Sequence, residues 1–176
     1  MTKLALALTI IAGVYLSGCT SLQQKAYSPV PEGVSISKAP NGSYSVERVK
    51  IQRSAKPVSS DALQFCFAQN LPGINGAPLL NSAKTKITAQ GKDQVSFVVP
   101  MTMGTPLSYE MMFTLTVSDT SGTRLFDYSN IKIRGTWTAN EAPLPGSQEA
   151  AMYVDSAFEK MRMISEALTS CLDTEG

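Results

Sequence analysis

Three cysteines, at positions 19, 66 and 171, are the residues of this 176-residue chain with the most chemistry available to them, and there is no histidine. Without an imidazole there is no Ser-His-Asp or Cys-His relay, no HExxH zinc site and no side chain that switches charge near neutrality. Three carboxylates come into view for acid/base work, Glu110, Asp119 and Asp127; a hydrolytic pair would need two of them to converge across roughly 5 to 9.5 Å. Asp119 sits in a turn, and the other two fall on strand positions expected to face solvent. No glycine-rich loop of the phosphate-cradling kind is present, so the chain is expected to be non-enzymatic and to need no cofactor. Eight methionines, including Met101-Thr102-Met103 and Met111-Met112, could in principle supply soft thioether ligands. They are scattered over strands and a helix, as gap-filling core residues are, so no metal site is expected. Trp137 and Asn140, beside a proline-rich loop, are the candidate partner contacts.

Cys19 is set apart by what precedes it. Lys3 is followed by an apolar run from Leu4 to Leu16, then Leu16-Ser17-Gly18-Cys19. Thirteen helical residues rise about 20 Å, short of the roughly 30 Å hydrocarbon core, so the run suits an export signal better than a membrane span. The charged start, apolar run and tetrapeptide together resemble the bacterial lipoprotein signal, or lipobox. The resemblance implies that residues 1–18 are removed and that Cys19 carries a thioether-linked diacylglycerol as the first mature residue. It also implies palmitate on the mature protein and attachment to the membrane through lipid alone, at about 0.8 kcal/mol per buried CH₂. Where Gram-negative lipoproteins kept in the inner membrane carry Asp after that cysteine, this chain has Thr20, which implies the outer membrane, with the domain facing the periplasm.

The other two cysteines are 105 positions apart, too far for a CxxC redox motif. Each falls on the apolar face of an expected helix. An exported protein matures in an oxidising compartment, so a Cys66–Cys171 disulfide is the expectation, with two buried thiols as the alternative.

The elements that must hold these residues follow from period and punctuation. Residues 19–43, rich in Ser, Gln, Pro and Gly, read as a flexible tether, although Val34-Ser35-Ile36 could instead form an edge strand turning at Asn41-Gly42. Residues 44–176 are long enough for one core and contain no second linker. Tyr44 to Ile51 suits a strand. Ser60 and Asp61 offer caps for a helix to about Leu71, with Leu63, Cys66 and Phe67 on one face. An antiparallel meander follows over 84–89, 94–101, 107–118 and 124–138, with turns at Gln90-Gly91-Lys92-Asp93 and Asp119-Thr120-Ser121-Gly122. Ser147 then caps a long helix on which Val154, Phe158, Met161, Leu168 and Leu172 recur at helical spacing. The expected fold class is α+β, an antiparallel meander sheet with two helices packed on one face.

With 15 basic and 14 acidic residues the net charge is +1. A charge so balanced gives no electrostatic footprint for nucleic acid. The expected role is a non-catalytic accessory or binding subunit of an envelope complex, with a protein partner. Two other readings stand beside it: an inhibitor or immunity lipoprotein against a cell-wall hydrolase or toxin, using the 140–148 loop as an inserting element, and a carboxylate-dependent enzyme built on Glu110 and Asp127.

Overall fold

Alternating apolar residues along four long segments leave one face of each strand in need of cover, and two amphipathic helices supply it. A computed structural model describes residues 24–98, 106–120, 122–135 and 140–175. Seven strands are present among them: β1 (Val34–Lys38), β2 (Tyr44–Ser54), β3 (Asn75–Leu80), β4 (Lys86–Val98), β5 (Pro106–Thr120), β6 (Thr123–Gly135) and β7 (Glu141–Pro143). Helix α1 (Ser60–Asn70) lies between β2 and β3, and α2 (Ala151–Glu175) follows β7 after a single 3-10 turn over Gln148–Ala150. The strands form one sheet in the order β1-β2-β6-β5-β4-β3, with β7 pairing β6 beyond the point where β2 ends its own pairing. Every pairing is antiparallel. The fold is α+β, as the sequence pattern implies.

Both helices cover the same face. Val49 and Ile51 of β2, Ile87, Ala89 and Val95 of β4, Met111, Phe113, Leu115 and Val117 of β5, and Phe126 and Tyr128 of β6 are buried beneath them. From α1 come Ala62, Leu63, Cys66 and Phe67. From α2 come Val154, Ala157, Met161, Ile164, Ser165, Leu168 and Leu172, a stripe at helical spacing. Two tyrosines tie strand to helix inside this layer. Tyr128 donates to the carbonyl of Met161 at 2.9 Å and lies 2.9 Å from Ser165 Oγ; Tyr109 donates to the carbonyl of Tyr153 at 3.1 Å.

Several expected boundaries move. The tether expected over 19–43 is folded from Lys25 onward: Gln148 N donates to Lys25 O at 2.8 Å, Tyr27 is buried, and Val34–Lys38 extends the sheet as β1. The edge-strand alternative is the one observed. Its apolar Val34 and Ile36 pack on the core, and Gly33, at φ +83°, lies so near the Lys50 carbonyl that a Cβ would stand 2.0 Å from that oxygen.

Gln90-Gly91-Lys92-Asp93 is not a turn; β4 runs through it. Gly91 stands opposite Phe113, and a Cβ there would come within 2.9 Å of that ring, so the glycine serves close packing rather than chain reversal. The stretch holding Gly76 and Pro78, between α1 and the first expected meander strand, is β3, an edge strand, where a missing N–H is tolerated. Ser59, not Ser60 or Asp61, caps α1, its Oγ accepting from Ala62 N at 3.1 Å, because its extended backbone turns the hydroxyl back over the first turn. Ser147 makes no capping bond with its side chain. The meander ends expected at 99–101 and 136–138 lie outside the described residues.

Candidate binding face

With α1 and α2 on one side, no helix among the described residues lies over the other side of the sheet, and most of its side chains are polar. On β4 and β5 the even-numbered positions point this way. Thr88 and Thr116 pair across strands at 3.0 Å, and Ser96 and Ser108 at 2.7 Å. Charges are distributed as ion pairs: Arg48 with Asp127 at 2.9 Å, Lys92 with Glu110 at 3.6 Å, Arg134 also with Glu110, and Lys132 with Glu141 at 3.2 Å.

The middle of this face dips into a shallow pocket of about 530 Å³. Its walls come from β4, β5, β6 and the segment before β3, and Lys92, Glu110, Met112, Asn130, Lys132 and Arg134 line it. The dip has a backbone cause. The β5–β6 register shifts between Met112 and Thr114, and Asn130 adopts φ +51° at the irregularity, a conformation asparagine tolerates better than most residues. On the opposite wall Gly73, at φ +52°, approaches Lys92 closely enough that a Cβ would lie 2.4 Å from its side chain.

The chemistry available here is recognition. Partly exposed ion pairs of this kind are worth only about 0–1 kcal/mol each, so Lys92, Lys132, Arg134 and Glu110 can exchange their internal partners for those of a docked molecule at small cost.

The residues singled out in the sequence are placed as follows. Cys19, Trp137, Met101 and Met103 lie outside the described residues. Cys66 and Cys171 stand at disulfide distance, with Cα atoms 5.7 Å apart, joining α1 to the last turns of α2. Asn140 is exposed and leads into β7, next to the Glu141 that lines the pocket.

Glu110 and Asp127 share the open face but do not meet. Asp127 stands opposite Thr116, six residues along β5 from Glu110, or about 20 Å at 3.3 Å per residue. Asp119 is committed elsewhere, accepting from the buried Arg124 at 2.8 and 3.1 Å. The 140–148 segment expected to protrude is laid down on the domain. Its β7 part pairs β6, Leu144 is buried, and Leu144 O accepts from Val46 N at 2.8 Å.

The methionines among the described residues do not form one cluster. Met111 and Met161 are in the core, Met112 is on the open face, and Met163 is exposed. Among the described residues no group of three or more Cys, Asp or Glu could hold a metal ion, and no helix is long and apolar enough to cross a membrane.

Lys92, Lys132, Arg134 and Glu141 were not singled out by sequence reasoning. Lys132 and Arg134 alternate with Ile131 and Ile133, a signal that places them opposite the core; Lys92 was hidden by the turn expected around Gly91. Titration behaviour marks the helix layer instead. Burial raises the Tyr109 phenol to about 12 and raises Tyr128 further, while the hydrogen bond to Asp155 raises Tyr27 to about 12. On the outer face of α2, hydrogen bonding to Arg162 holds the Glu159 carboxyl below its ordinary range.

No protein-family model matches the sequence, and no curated protein matches it. Solved structures do share its fold. A crystal structure of a DUF4468 family protein from Bacteroides ovatus aligns over 80% of this chain and 94% of its own, with a TM-score of 0.54 and 9% identity. A TBP-like protein from Parabacteroides distasonis aligns over 71% of this chain and 91% of its own, with a TM-score of 0.49 and 7% identity. At 9% identity the first likeness establishes the α+β architecture and nothing about activity.

Proposed function

We propose that this chain is an outer-membrane-anchored periplasmic lipoprotein, acylated on Cys19, whose domain is a non-catalytic binding subunit of an envelope protein complex. The observation that carries the binding role is the sheet face that no helix among the described residues covers, largely polar and dipped at its centre, where four cationic and three anionic side chains form weak, exchangeable pairs. A protein partner presenting both charges suits such a face better than a uniformly charged polymer. The Cys66–Cys171 pair is oxidised in that compartment, as its geometry allows. An inserting-loop inhibitor is less well supported, because the 140–148 segment is packed down.

Two measurements test the reading. Palmitate labelling is expected for the wild type and absent for Cys19→Ala, which should leave the membrane fraction. A photo-crosslinking residue at Met112 or Thr114 should capture a discrete envelope protein, and Lys132→Glu with Arg134→Glu should abolish the capture while Met163 positions capture nothing. Labelling that survives Cys19→Ala overturns the anchor. Turnover of peptidoglycan or lipid by the pure domain overturns the non-catalytic role.

A further inference from the structure

Antiparallel pairing gathers several chain ends at one end of the sheet. Lys38 stands opposite Tyr44, Val98 opposite Pro106 and Tyr109 opposite Gly135, and the first turn of α2 joins them through the bond from Tyr109 to Tyr153 O. The N-terminal segment is fastened at this same end. Gln148 N donates to Lys25 O at 2.8 Å, Tyr27 N to Gly146 O at 2.9 Å, Ser28 N to Gln148 Oε1 at 2.9 Å, and Tyr27 Oη to Asp155.

Only six residue steps separate Cys19 from the fastened Lys25. Whatever their conformation, they reach at most about 22 Å. The fifteen-residue β5 runs about 46 Å from this end to the far turn, more than twice that reach. A domain held so closely either stands on its fastened end or lies on its side.

Surface chemistry separates the two postures. Of the seven large hydrophobic side chains exposed among the described residues, three are at the fastened end: Val98 (55% exposed), Leu107 (39%) and Met152 (38%). They lie close together along the chain ends gathered there: Met152 precedes Tyr153, whose ring lies 4.8 Å from that of Phe97, and Phe97 precedes Val98 and stands opposite Leu107.

We infer that this end, with Val98, Leu107 and Met152, rests in the interfacial layer of the bilayer that holds the Cys19 lipid, so the domain stands upright with its sheet strands rising from the membrane. Side chains of this size exposed on one end are ordinarily a liability, and a bilayer within reach of the tether covers them. The inference rests on acylation of Cys19. It adds that the open sheet face is presented sideways, parallel to the membrane normal, to partners standing beside it.

The test uses the full mature lipoprotein in vesicles of phosphatidylethanolamine and phosphatidylglycerol. With Cys66 and Cys171 paired and Cys19 acylated, a new cysteine is the one free thiol. An environment-sensitive fluorophore is placed by Pro106→Cys at the fastened end or by Thr123→Cys at the far turn, and quenched by spin-labelled lipid. Quenching should be several-fold stronger at position 106 than at 123, and Val98→Asp with Leu107→Asp should reduce that difference while leaving the protein on the vesicles. Acylated protein with equal quenching at both positions overturns the upright posture alone. An N-terminal peptide without acyl mass overturns the anchor and the posture with it.

Discussion

At the scale of single residues, the buried polar groups carry the sharpest consequences. Tyr128 is fully covered, and its hydroxyl meets Met161 O and Ser165 Oγ, so the phenol joins β6 to the middle of α2. Tyr128→Phe removes one well-made bond while Ser165 Oγ still donates to Met161 O, so a loss of about 1 kcal/mol is expected in urea unfolding, with the m-value unchanged. Gly91 behaves differently, since what matters there is missing volume. Gly91→Ala places a methyl 2.9 Å from the Phe113 ring and 3.2 Å from Pro72 O, and a cost of about 1–3 kcal/mol is expected from the forced shift. A thermal midpoint equal to wild type would mean that the ring gives way freely. This glycine also shows where a sequence misleads. Gln-Gly-Lys-Asp has the composition of a turn, and only the strand opposite explains why a glycine is needed inside a ladder.

Elements were legible in proportion to how much of their pattern is local. The stripe on α2 and the alternation on β5 and β6 are visible in the chain itself, and both elements are where the pattern puts them. The pairing of Cys66 with Cys171 could be anticipated, because each lies on the apolar face of its helix and both helices cover one side of a sheet. β1 and β3 were harder to see, being short edge strands bordered by glycine and proline, stabilised by neighbours distant in sequence. The open-face pocket was not legible, since it depends on a register shift between β5 and β6 that no single strand encodes. Two predictions belong here. Replacing both Cys66 and Cys171 by alanine frees a loop of about a hundred residues and is expected to cost up to ~4 kcal/mol, measured by unfolding without reductant. Wild type treated with reductant should fall to the same stability, and a smaller loss in both would point to residual structure in the unfolded chain. Gly33→Ala collides with the Lys50 backbone and should release β1, read as faster amide exchange over 34–38 than over β5.

For the whole molecule, alkaline pH is the condition that strains the helix layer at several points together. Tyr27 and Tyr109 keep their protons to about 12, and Tyr128 keeps its proton beyond that, whereas an unfolded chain releases them near pH 10. A raised folded-state pKa means that stability is fully present below about pH 10 and declines as pH rises through the folded values. The urea midpoint should therefore fall from about pH 10 upward, with tyrosinate absorbance appearing together with unfolding. Tyr109→Phe should start from a lower midpoint and fall less steeply. A tyrosinate signal that rises fully before the midpoint moves would contradict this assignment.

The buried Arg124 has an effect that its hydrogen bonds alone do not convey. It stands opposite Asp119 in the β5–β6 register, at the mouth of the hairpin, and also donates to Lys56 O at 3.1 Å. A slip of one residue in that ladder would turn the guanidinium to the other side of the sheet and draw a neighbour without a carboxylate into the core. Breaking a buried charge pair costs about 3–5 kcal/mol, so misphased hairpins are penalised at their first turn, before the remaining strands have anything to pair with. Arg124 and Asp119 thus act as an index mark for the β5–β6 hairpin, setting the phase in which the apolar residues above them point inward.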